Sequence, residues 1–311
     1  MTLRVIFMGS AEFSVPALRA LHQSFELVGV ITQPDRPRGR GRKTSPTPVK
    51  TAAVELGLPV KEPERVHSAD FLADLRAWAP DVVVVAAYGR ILPLSVLQLP
   101  PMGCVNIHAS LLPRHRGASP ISGAVLAGDP VTGVTTMLMD EGLDTGDILL
   151  SREISVQPDD TAGSLRDRLM ELGGELVVET LRRMTDGTLQ PRAQDHAQAT
   201  LTKPLTKEDG RIDWNGDVGF LDRLVRAMNP WPGAFTYLGG DAVKIWSASA
   251  VDGSGPAGTV TEVGPEGILV GTANGLLLLR EVQAPGKKRV SAAEFARGRR
   301  VRAGDTFGGG A

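Results

Sequence analysis

Residues 82–87 read VVVVAA, and this unbroken apolar run constrains the fold more than any other feature of the chain. A strand that borders water on one face alternates apolar and polar residues, whereas a strand buried on both faces is apolar throughout. Such strands are typical of parallel sheets, whose neighbouring strands are joined by long crossover connections, usually helices. The run therefore predicts a central parallel strand at residues 81–88.

The rest of the first two thirds of the chain fits this scheme, because short apolar runs alternate with amphipathic stretches. Ser119 and Pro120 are typical of a helix start, where a hydroxyl caps free backbone N–H groups and proline lacks only an N–H that would have no partner. The sequence thus predicts a doubly wound, Rossmann-like α/β domain with a mostly parallel sheet. We expect further strands at residues 4–9, 26–32, 103–108, 133–140 and 147–156, and helices at residues 47–57, 119–128 and 161–185.

The periodicity changes beyond residue 189. Residues 190–207 lack a clear apolar period and are expected to form a linker between a first domain, residues 1–189, and a second domain, residues 208–311. The second domain contains one helical pattern followed by short strands with glycine turns, which predicts a small, OB-like β-barrel. Its expected strands are residues 234–238, 242–250, 258–263, 267–271 and 275–283.

Composition places the chain among ordinary globular proteins, with 42% hydrophobic and 22% charged residues. Its single cysteine, Cys104, excludes an intramolecular disulfide and a multi-cysteine zinc site. The longest apolar run is too short to cross a bilayer, and the opening MTLRVIFMGS lacks the pattern of a signal peptide. We therefore expect a cytoplasmic protein without a membrane partner, and we expect it to be a monomer.

Two polar residues lie in the predicted strand at residues 103–108. Asn106 and His108 are two residues apart, so a strand places both side chains on one face of the sheet. Asp144 follows downstream in the loop GLDTGD. An amide, an imidazole that can carry a proton and a carboxylate that can orient or charge it are together suited to acyl transfer. These three residues are therefore candidate catalytic groups.

Each of the three also has a structural interpretation. A lone histidine beside an apolar strand is often only a hydrogen-bonded structural residue, and Asp144 suits a turn or a helix cap. Asn106 favours a catalytic role, because a buried amide is costly as filler but useful as an oxyanion donor. The chain lacks the G-x-G-x-x-G, P-loop and G-x-S-x-G patterns and any histidine-rich metal motif. Metal-free acyl or one-carbon transfer is the chemistry that these observations leave.

Positive charge is concentrated in two segments, although the net charge is only -1. Such segments are typical of a protein that binds a polyanion at specific sites on its surface. The alternative interpretation is that the charges are only solvated surface residues. The cationic residues are Arg36, Arg38, Arg40, Arg42, Lys43 and Lys50 in the first segment, and Lys287, Lys288, Arg289, Arg297, Arg299, Arg300 and Arg302 in the second.

Motifs along nearly the whole chain resemble one family. They are GSAEFSVPAL, VVVAAYGRILP, HASLLPRHRGASPI and MDEGLDTGDIL, followed by LTKEDGRIDW and VRAMNPWPGAFT beyond residue 200. The chain resembles the methionyl-tRNA branch of the folate-dependent formyltransferase family. It departs from the family pattern at His115, where an aromatic residue is usual, and at Ser119, because GASPI stands in place of the commoner GAAPI.

The resemblance implies transfer of a formyl group from 10-formyltetrahydrofolate to the α-amino group of methionine on initiator tRNA, without a metal ion. It implies that Asn106 and protonated His108 bind the developing oxyanion. Asp144 would pair with His108 and could take the amine proton through a water, or it could only orient the ring. The folate is expected between residues 85–92 and 138–144. The implied folate-binding residues are Tyr88, Ser110, Leu111, Leu112, Pro113 and Asp140.

The resemblance also implies a partner for the basic segments, the initiator tRNA. Residues 34–43 are expected to form a mobile loop that orders on the acceptor arm, because arginines alternate there with Gly39 and Gly41. The barrel is expected to contact the rest of the tRNA. The implied tRNA-binding residues are Arg36, Arg38, Arg40, Arg42 and Lys43 in the loop, with Arg42 foremost, and Lys287, Lys288 and Arg289 in the barrel.

Two rival functions stay open. One is formylation of a small amine, such as a glycinamide ribonucleotide or a nucleotide-linked amino sugar, by an enzyme of the same catalytic family. Enzymes that formylate glycinamide ribonucleotide resemble only the N-terminal region of this chain. Enzymes that formylate amino sugars have less use for an arginine-rich loop. The other rival is a non-enzymatic RNA-binding module, which the presence of Asn106, His108 and Asp144 together argues against.

Overall fold

The chain divides into two compact units. The computed structural model describes residues 2–38 and 43–309. Unit 1 comprises Met1–Pro120, Val131–Ser155 and Arg166–Thr202, and unit 2 comprises Ile121–Pro130, Val156–Leu165 and Lys203–Ala311. Residues 190–202, the larger part of the expected linker, therefore belong to unit 1.

Seven strands form the main sheet of unit 1 in the described part of the chain. They are β1 (Arg4–Gly9), β2 (Glu26–Ile31), β5 (Val60–Lys61), β6 (Val82–Ala86), β7 (Cys104–His108), β9 (Val131–Leu138) and β10 (Ile148–Ser155). Their order across the sheet is β10-β9-β7-β6-β1-β2-β5. The five strands from β7 to β5 are parallel, whereas β9 and β10 are antiparallel to their neighbours. The mostly parallel sheet is the predicted one.

Helices cover both faces of this sheet, which explains why all five residues of β6 are buried. Phe71, Leu75 and Val96 pack on the face that carries Val83 and Val85. On the opposite face, Gly173 allows a helix to approach Ile107 of β7 closely. The described helices of unit 1 are α1 (Val15–Ser24), α2 (Pro48–Glu55), α3 (Ala69–Trp78), α4 (Leu94–Leu97) and most of α6 (Ala162–Thr185), whereas α5 (Pro120–Ala127), apart from Pro120, belongs to unit 2. Among the described residues, no helix is long and apolar enough to cross a membrane.

Two short strands, β3 (Arg36–Arg38) and β4 (Lys43–Ser45), pair as an antiparallel hairpin. Residues 36–38 and 43 of the expected mobile loop therefore have strand structure, and residues 39–42 lie outside the described residues. At its base, Lys50 Nζ lies 2.8 Å from a carboxylate oxygen of Asp35 and 2.8 Å from one of Glu62. These bonds, that to Asp35 foremost, raise the pKa of Lys50. They attach the start of the hairpin to α2.

Unit 2 contains an antiparallel sheet in which residues near the C-terminus join the two edges. In its described part, the strands are β12 (Ala234–Leu238), β13 (Asp241–Val251), β14 (Val260–Gly264), β15 (Gly267–Gly271), β16 (Leu276–Gln283) and β17 (Val290–Ser291), with helices α7 (Val218–Ala227) and α8 (Ala292–Arg299). The order is β12-β13-β16-β15-β14, and β17 pairs with β16. Phe307 bridges to Leu238 of β12, and Thr306 bridges to Thr259 beside β14. These bridges close the small barrel that the sequence predicts.

Replacing Gly29 of β2 by alanine should destabilise the protein. A Cβ atom there would lie 2.4 Å from the ring of Trp78, which packs against the core of unit 1. Overpacking of this kind costs about 1–3 kcal/mol. Gly298→Ala is the matched control, because a Cβ there meets nothing within 4 Å and alanine favours the helix. In urea unfolding, Gly29→Ala should lower the unfolding midpoint and Gly298→Ala should not. An unchanged midpoint for Gly29→Ala would contradict the close contact between Gly29 and Trp78.

Cys104 at the start of β7 should make stability fall at alkaline pH. Burial raises the pKa of its thiol to about 12, whereas an unfolded thiol titrates near about 8.5. Between these values the unfolded state loses a proton that the folded state keeps. The free energy of unfolding then falls by up to about 1.4 kcal/mol per pH unit from this group. In urea unfolding at pH 8, 9 and 10, the advantage of wild type over Cys104→Ala should narrow, and a constant difference would refute the assignment.

Candidate active site

β7 carries Asn106 and His108 on one face of the sheet. These residues lie directly opposite Met137 and Thr135 of β9, so the four side chains share that face. Ile107 points to the other face, where α6 packs. The polar pair therefore lies on the side that α6 leaves uncovered, as the N-x-H spacing predicts.

The chain that follows β7 folds back over this same face. The hydroxyl of Thr135 donates to the carbonyl of Ser110 at 2.7 Å and accepts from the N–H of Leu112 at 3.2 Å. The side chain of Leu112 packs with Met137 and Ile148. Residues 110–112 are thus attached to the strand beside His108.

His108 is buried, with 6% of its surface exposed, and each ring nitrogen faces an acceptor. Its Nε2 lies 2.9 Å from the backbone oxygen of His115. A carbonyl can only accept, so Nε2 carries a proton. Its Nδ1 lies 3.6 Å from Oδ2 of Asp144, which is beyond a good hydrogen bond. A ring that also carries a proton on Nδ1 is cationic and faces the carboxylate.

Asp144 is held by the backbone around it. Its Oδ2 accepts from the N–H of Gly117 at 2.8 Å. Its own φ is +54°, in the left-handed region that few residues other than glycine adopt. That conformation costs on the order of 1 kcal/mol and persists only where surrounding bonds impose it. One such bond is from Gln194 Nε2 to the carbonyl of Asp144, at 2.9 Å.

Asn106 is partly exposed, and among the described residues no hydrogen-bond partner of its side-chain amide is found. It lies level with Val85 of β6 and Met137 of β9. An amide with unused donors beside a histidine is suited to bind an anionic oxygen. The structure therefore brings Asn106, His108 and Asp144 to one face of β7.

The side chains of Tyr88 and Ser110, two of the six implied folate-binding residues, point inward. Tyr88 is 2% exposed, and its hydroxyl has no partner among the described atoms. Burial raises the pKa of that hydroxyl. Ser110 donates to the carbonyl of Arg114 at 2.6 Å. Tyr88 and Leu92 share one apolar cluster with Met139, so residues 85–92 and 138–144 meet at that cluster.

Asp140 shapes the loop of Asp144. Its Oδ1 accepts from the N–H of Gly142 at 3.0 Å and from the hydroxyl of Thr145 at 2.6 Å. Leu112 is buried, whereas Leu111 and Pro113 are partly exposed. Groups that remain available to a ligand on this side are therefore mainly backbone groups.

The implied tRNA-binding residues fall into two places. Arg36 is exposed at the start of the hairpin, the backbones of Arg38 and Lys43 pair across it, and Arg40 and Arg42 lie outside the described residues. In unit 2, Lys287, Lys288 and Arg289 are exposed in the turn between β16 and β17. The guanidinium of Arg289 lies 3.5 Å from the ring centroid of Trp246, which also has Lys244 Nζ at 5.1 Å.

Sequence patterns did not reveal Arg116, Gln194 or Trp246. Arg116 and Gln194 are 5% and 6% exposed, although arginine and glutamine are residues usually found at the surface. Gln194 lies in a segment without apolar periodicity. Only the tertiary structure shows that it reaches the Asp144 loop, so no local signal could have identified it.

Two family models match the chain. The model described as formyl transferase matches residues 3–181, and the model described as formyl transferase, C-terminal domain, matches residues 204–300. The first alone covers more than half of the chain. The chain belongs to the formyl transferase family, and the resemblance of its motifs to formyltransferases is confirmed.

The chain is similar over nearly its whole length to particular members of that family. It is 48% identical to the methionyl-tRNA formyltransferase of Desulfotalea psychrophila over 303 residues, 96% of this chain and 94% of that protein. It is 47% identical to the methionyl-tRNA formyltransferase of Geobacter metallireducens over 307 residues, 98% of this chain and 99% of that protein.

Solved structures share the fold. The N-formyltransferase from Helicobacter canadensis, in complex with folinic acid and dTDP-3-aminofucose, has a TM-score of 0.65 and 16% identity, covering 91% of this chain and 100% of that chain. HypX from Aquifex aeolicus, in complex with tetrahydrofolic acid, has a TM-score of 0.63 and 19% identity, covering 95% of this chain and 47% of that chain. At such identities the likeness is evidence for the fold alone, and the predicted fold class is confirmed.

Proposed function

We propose that the chain transfers the formyl group of 10-formyltetrahydrofolate to the α-amino group of methionyl initiator tRNA. The near-full-length similarity to methionyl-tRNA formyltransferases supports this acceptor. The observation that carries the chemistry is that one face of β7 holds Asn106 and His108 beside Asp144. We also propose that the chain acts as a monomer in the cytoplasm, where charged initiator tRNA is available.

In this reaction the neutral amine attacks the formyl carbon, and the carbonyl oxygen becomes an oxyanion. Asn106 donates to that oxygen from its amide. His108 donates from Nδ1, because its Nε2–H already bonds to the carbonyl of His115 at 2.9 Å. Fixed donors of this kind stabilise the charge that develops in the transition state.

Asp144 faces Nδ1 of His108 at 3.6 Å and lies where the amine proton is lost. The new C–N bond leaves the attacking nitrogen with a surplus proton, which Asp144 accepts through a water. The bond between the formyl carbon and N10 of the folate then breaks, and N10 takes up the proton that Asp144 accepted, returned through the water, so that the carboxylate is restored. The products are formylmethionyl-tRNA and tetrahydrofolate, so atoms and charge balance without a metal ion.

The folate binds, on this proposal, between residues 85–92 and 138–144. The shared cluster of Tyr88, Leu92 and Met139 supports this position, because it holds the two segments side by side. Backbone groups of residues 110–113 recognise the pterin edges. The proposed folate-binding residues are Tyr88, Ser110, Leu111, Leu112, Pro113 and Asp140.

The tRNA contacts both basic segments on this proposal. The first basic segment engages the acceptor arm through Arg36, Arg38, Arg40, Arg42 and Lys43, and the barrel engages the rest of the tRNA through Lys287, Lys288 and Arg289. The exposure of Arg36 and of the turn at residues 287–289 supports these roles. Arginine suits such contacts because its planar head group bridges phosphates and stacks on bases.

The choice of acceptor is tested by offering three substrates in parallel. With 10-formyltetrahydrofolate as donor, we expect rapid formylation of charged initiator tRNA and none of a glycinamide ribonucleotide or a nucleotide-linked amino sugar. Faster formylation of either small amine overturns the proposal. Binding of the tRNA without formylation of any acceptor supports the non-enzymatic alternative.

His108→Ala should reduce single-turnover formylation of charged tRNA by at least about 100-fold, because loss of one oxyanion donor typically costs that much. Folate affinity should stay near that of the wild type, since the ring faces the carbonyl of His115 and Asp144. His22→Ala is the matched control, because His22 is exposed in the last turn of α1. Near-wild-type turnover of His108→Ala would falsify the assignment.

Removing the positive charges of residues 36–43 should weaken tRNA binding without slowing the formyl-transfer step. Replacing the five cations by glutamine, from Arg36→Gln to Lys43→Gln, keeps the backbone pairing that strands require. The KM for charged tRNA should rise and depend less on salt, because each lost phosphate contact reduces the slope by about one. Arg182→Gln with Arg183→Gln on α6 is the control. An unchanged salt slope counts against the hairpin.

A further inference from the structure

The side-chain amide of Gln194 connects two segments of the site. Its Nε2 donates to the carbonyls of Asp144 and Gly146, at 2.9 and 2.7 Å. Its Oε1 accepts from Nε and Nη2 of Arg116, at 3.1 and 2.7 Å. Both residues are buried, so water does not substitute freely for these bonds. The amide uses both its donors and its acceptor on groups next to the proposed catalytic residues.

Residues 115–117 each contact the site in a different way. The carbonyl of His115 accepts from His108, and the N–H of Gly117 donates to the carboxylate of Asp144. Between them, the side chain of Arg116 reaches Gln194. Bonds from residues 115–117 and from Gln194 therefore fix the distance between His108 and Asp144.

The segment of Gln194 is itself attached on both sides. Arg192 pairs with Ile148 at the start of β10. Further along, β11 (Leu201–Thr202) pairs in parallel with β8 (Arg116–Gly117). The amide is thus fixed in place before any substrate binds.

We propose that Gln194, together with Arg116, is a positioning residue of the formyl-transfer site. It acts through Asp144, by holding the strained backbone of that residue and so the position of its carboxylate beside His108. This role rests on the proposed function, in which Asp144 assists His108. Gln194 itself touches neither substrate.

Two substitutions separate the contacts of Gln194. Gln194→Glu keeps an acceptor for Arg116 but places an oxygen against the carbonyls of Asp144 and Gly146. Gln194→Met keeps the shape and removes every hydrogen bond. We expect both to lower kcat by about 10–100-fold, the usual effect of removing a group that orients a ligand or catalytic residue. The KM values for folate and tRNA should change by less than about 3-fold, because only orientation is lost.

A double-mutant cycle with Asp144→Asn distinguishes action through Asp144 from a purely structural role. The quantity compared is the effect of Gln194→Met on kcat in the wild-type and Asp144→Asn backgrounds. If Gln194 acts through Asp144, Gln194→Met should lower kcat by no more than about 2-fold in the Asp144→Asn background, since coupled residues are not additive. Multiplicative losses in the double variant overturn the inference. An Asp144→Asn variant as active as the wild type overturns instead the proposed role of Asp144.

Thr180→Val is the matched control for loss of a buried polar group in unit 1. Thr180 is fully buried on α6 and bonds to Leu176 and Thr136, away from the Asp144 loop. It should lower the melting temperature about as much as the Gln194 variants while keeping kcat. Equal kcat losses in Thr180→Val and the Gln194 variants would show a general effect of destabilisation and refute a positioning role.

Discussion

The hydroxyl of Thr135 is the contact on which the site depends. This buried side chain bonds to the backbone of both Ser110 and Leu112 and so holds the chain after β7 against β9. Together with the pairing of residues 116–117 with residues 201–202, that attachment holds the segment over the face of His108. An exposed hydroxyl would have water as an alternative partner, and burial removes that alternative.

Backbone groups, more than side chains, then set the geometry of the site. The carbonyl of His115 bonds to His108 and the N–H of Gly117 bonds to Asp144, which requires an irregular chain between the two backbone groups. His115 has φ +55° and Gly117 has φ +105°. At Gly117 a Cβ would lie 2.2 Å from the carbonyl of Thr202, so glycine is required there. Because His115 contributes its backbone, the departure from the family pattern at that residue leaves the bond to His108 in place.

Periodicity in the sequence predicts the parts of the fold that depend on burial alone. The apolar run of β6 and the two-residue spacing of Asn106 and His108 follow from strand geometry, and the structure has both. Among the elements that were not predicted, α3, α4 and β5 offer little pattern, because α3 buries only Phe71 and Leu75, α4 has four residues and β5 has two. No pattern of residue types indicates which backbone carbonyl will face His108.

Gln194 and Tyr88 are two side chains whose burial local sequence patterns do not predict. A glutamine in a segment without periodicity is expected to be solvated, yet tertiary bonds to Arg116 bury it. Tyr88 follows the central strand at the edge where ligands usually bind, yet its ring packs into the core. In both cases the side chain's environment is set by segments distant in sequence. Burial of polar groups is therefore the property that local patterns predict least.

The exposed cations and the buried polar groups of the candidate site differ in how strongly salt screens them. A net charge of -1 gives no long-range attraction, and the Debye length is only about 8 Å at physiological ionic strength. The exposed cations at Arg36 and at residues 287–289 therefore act on an anion only over a short distance. Arg289 is already held over Trp246, so its side chain has less conformational freedom to lose in any further contact. Salt weakens these exposed contacts, whereas the buried bonds around His108 and Asp144 are screened far less. Ionic strength should thus act on tRNA capture and leave the formyl-transfer step nearly unchanged.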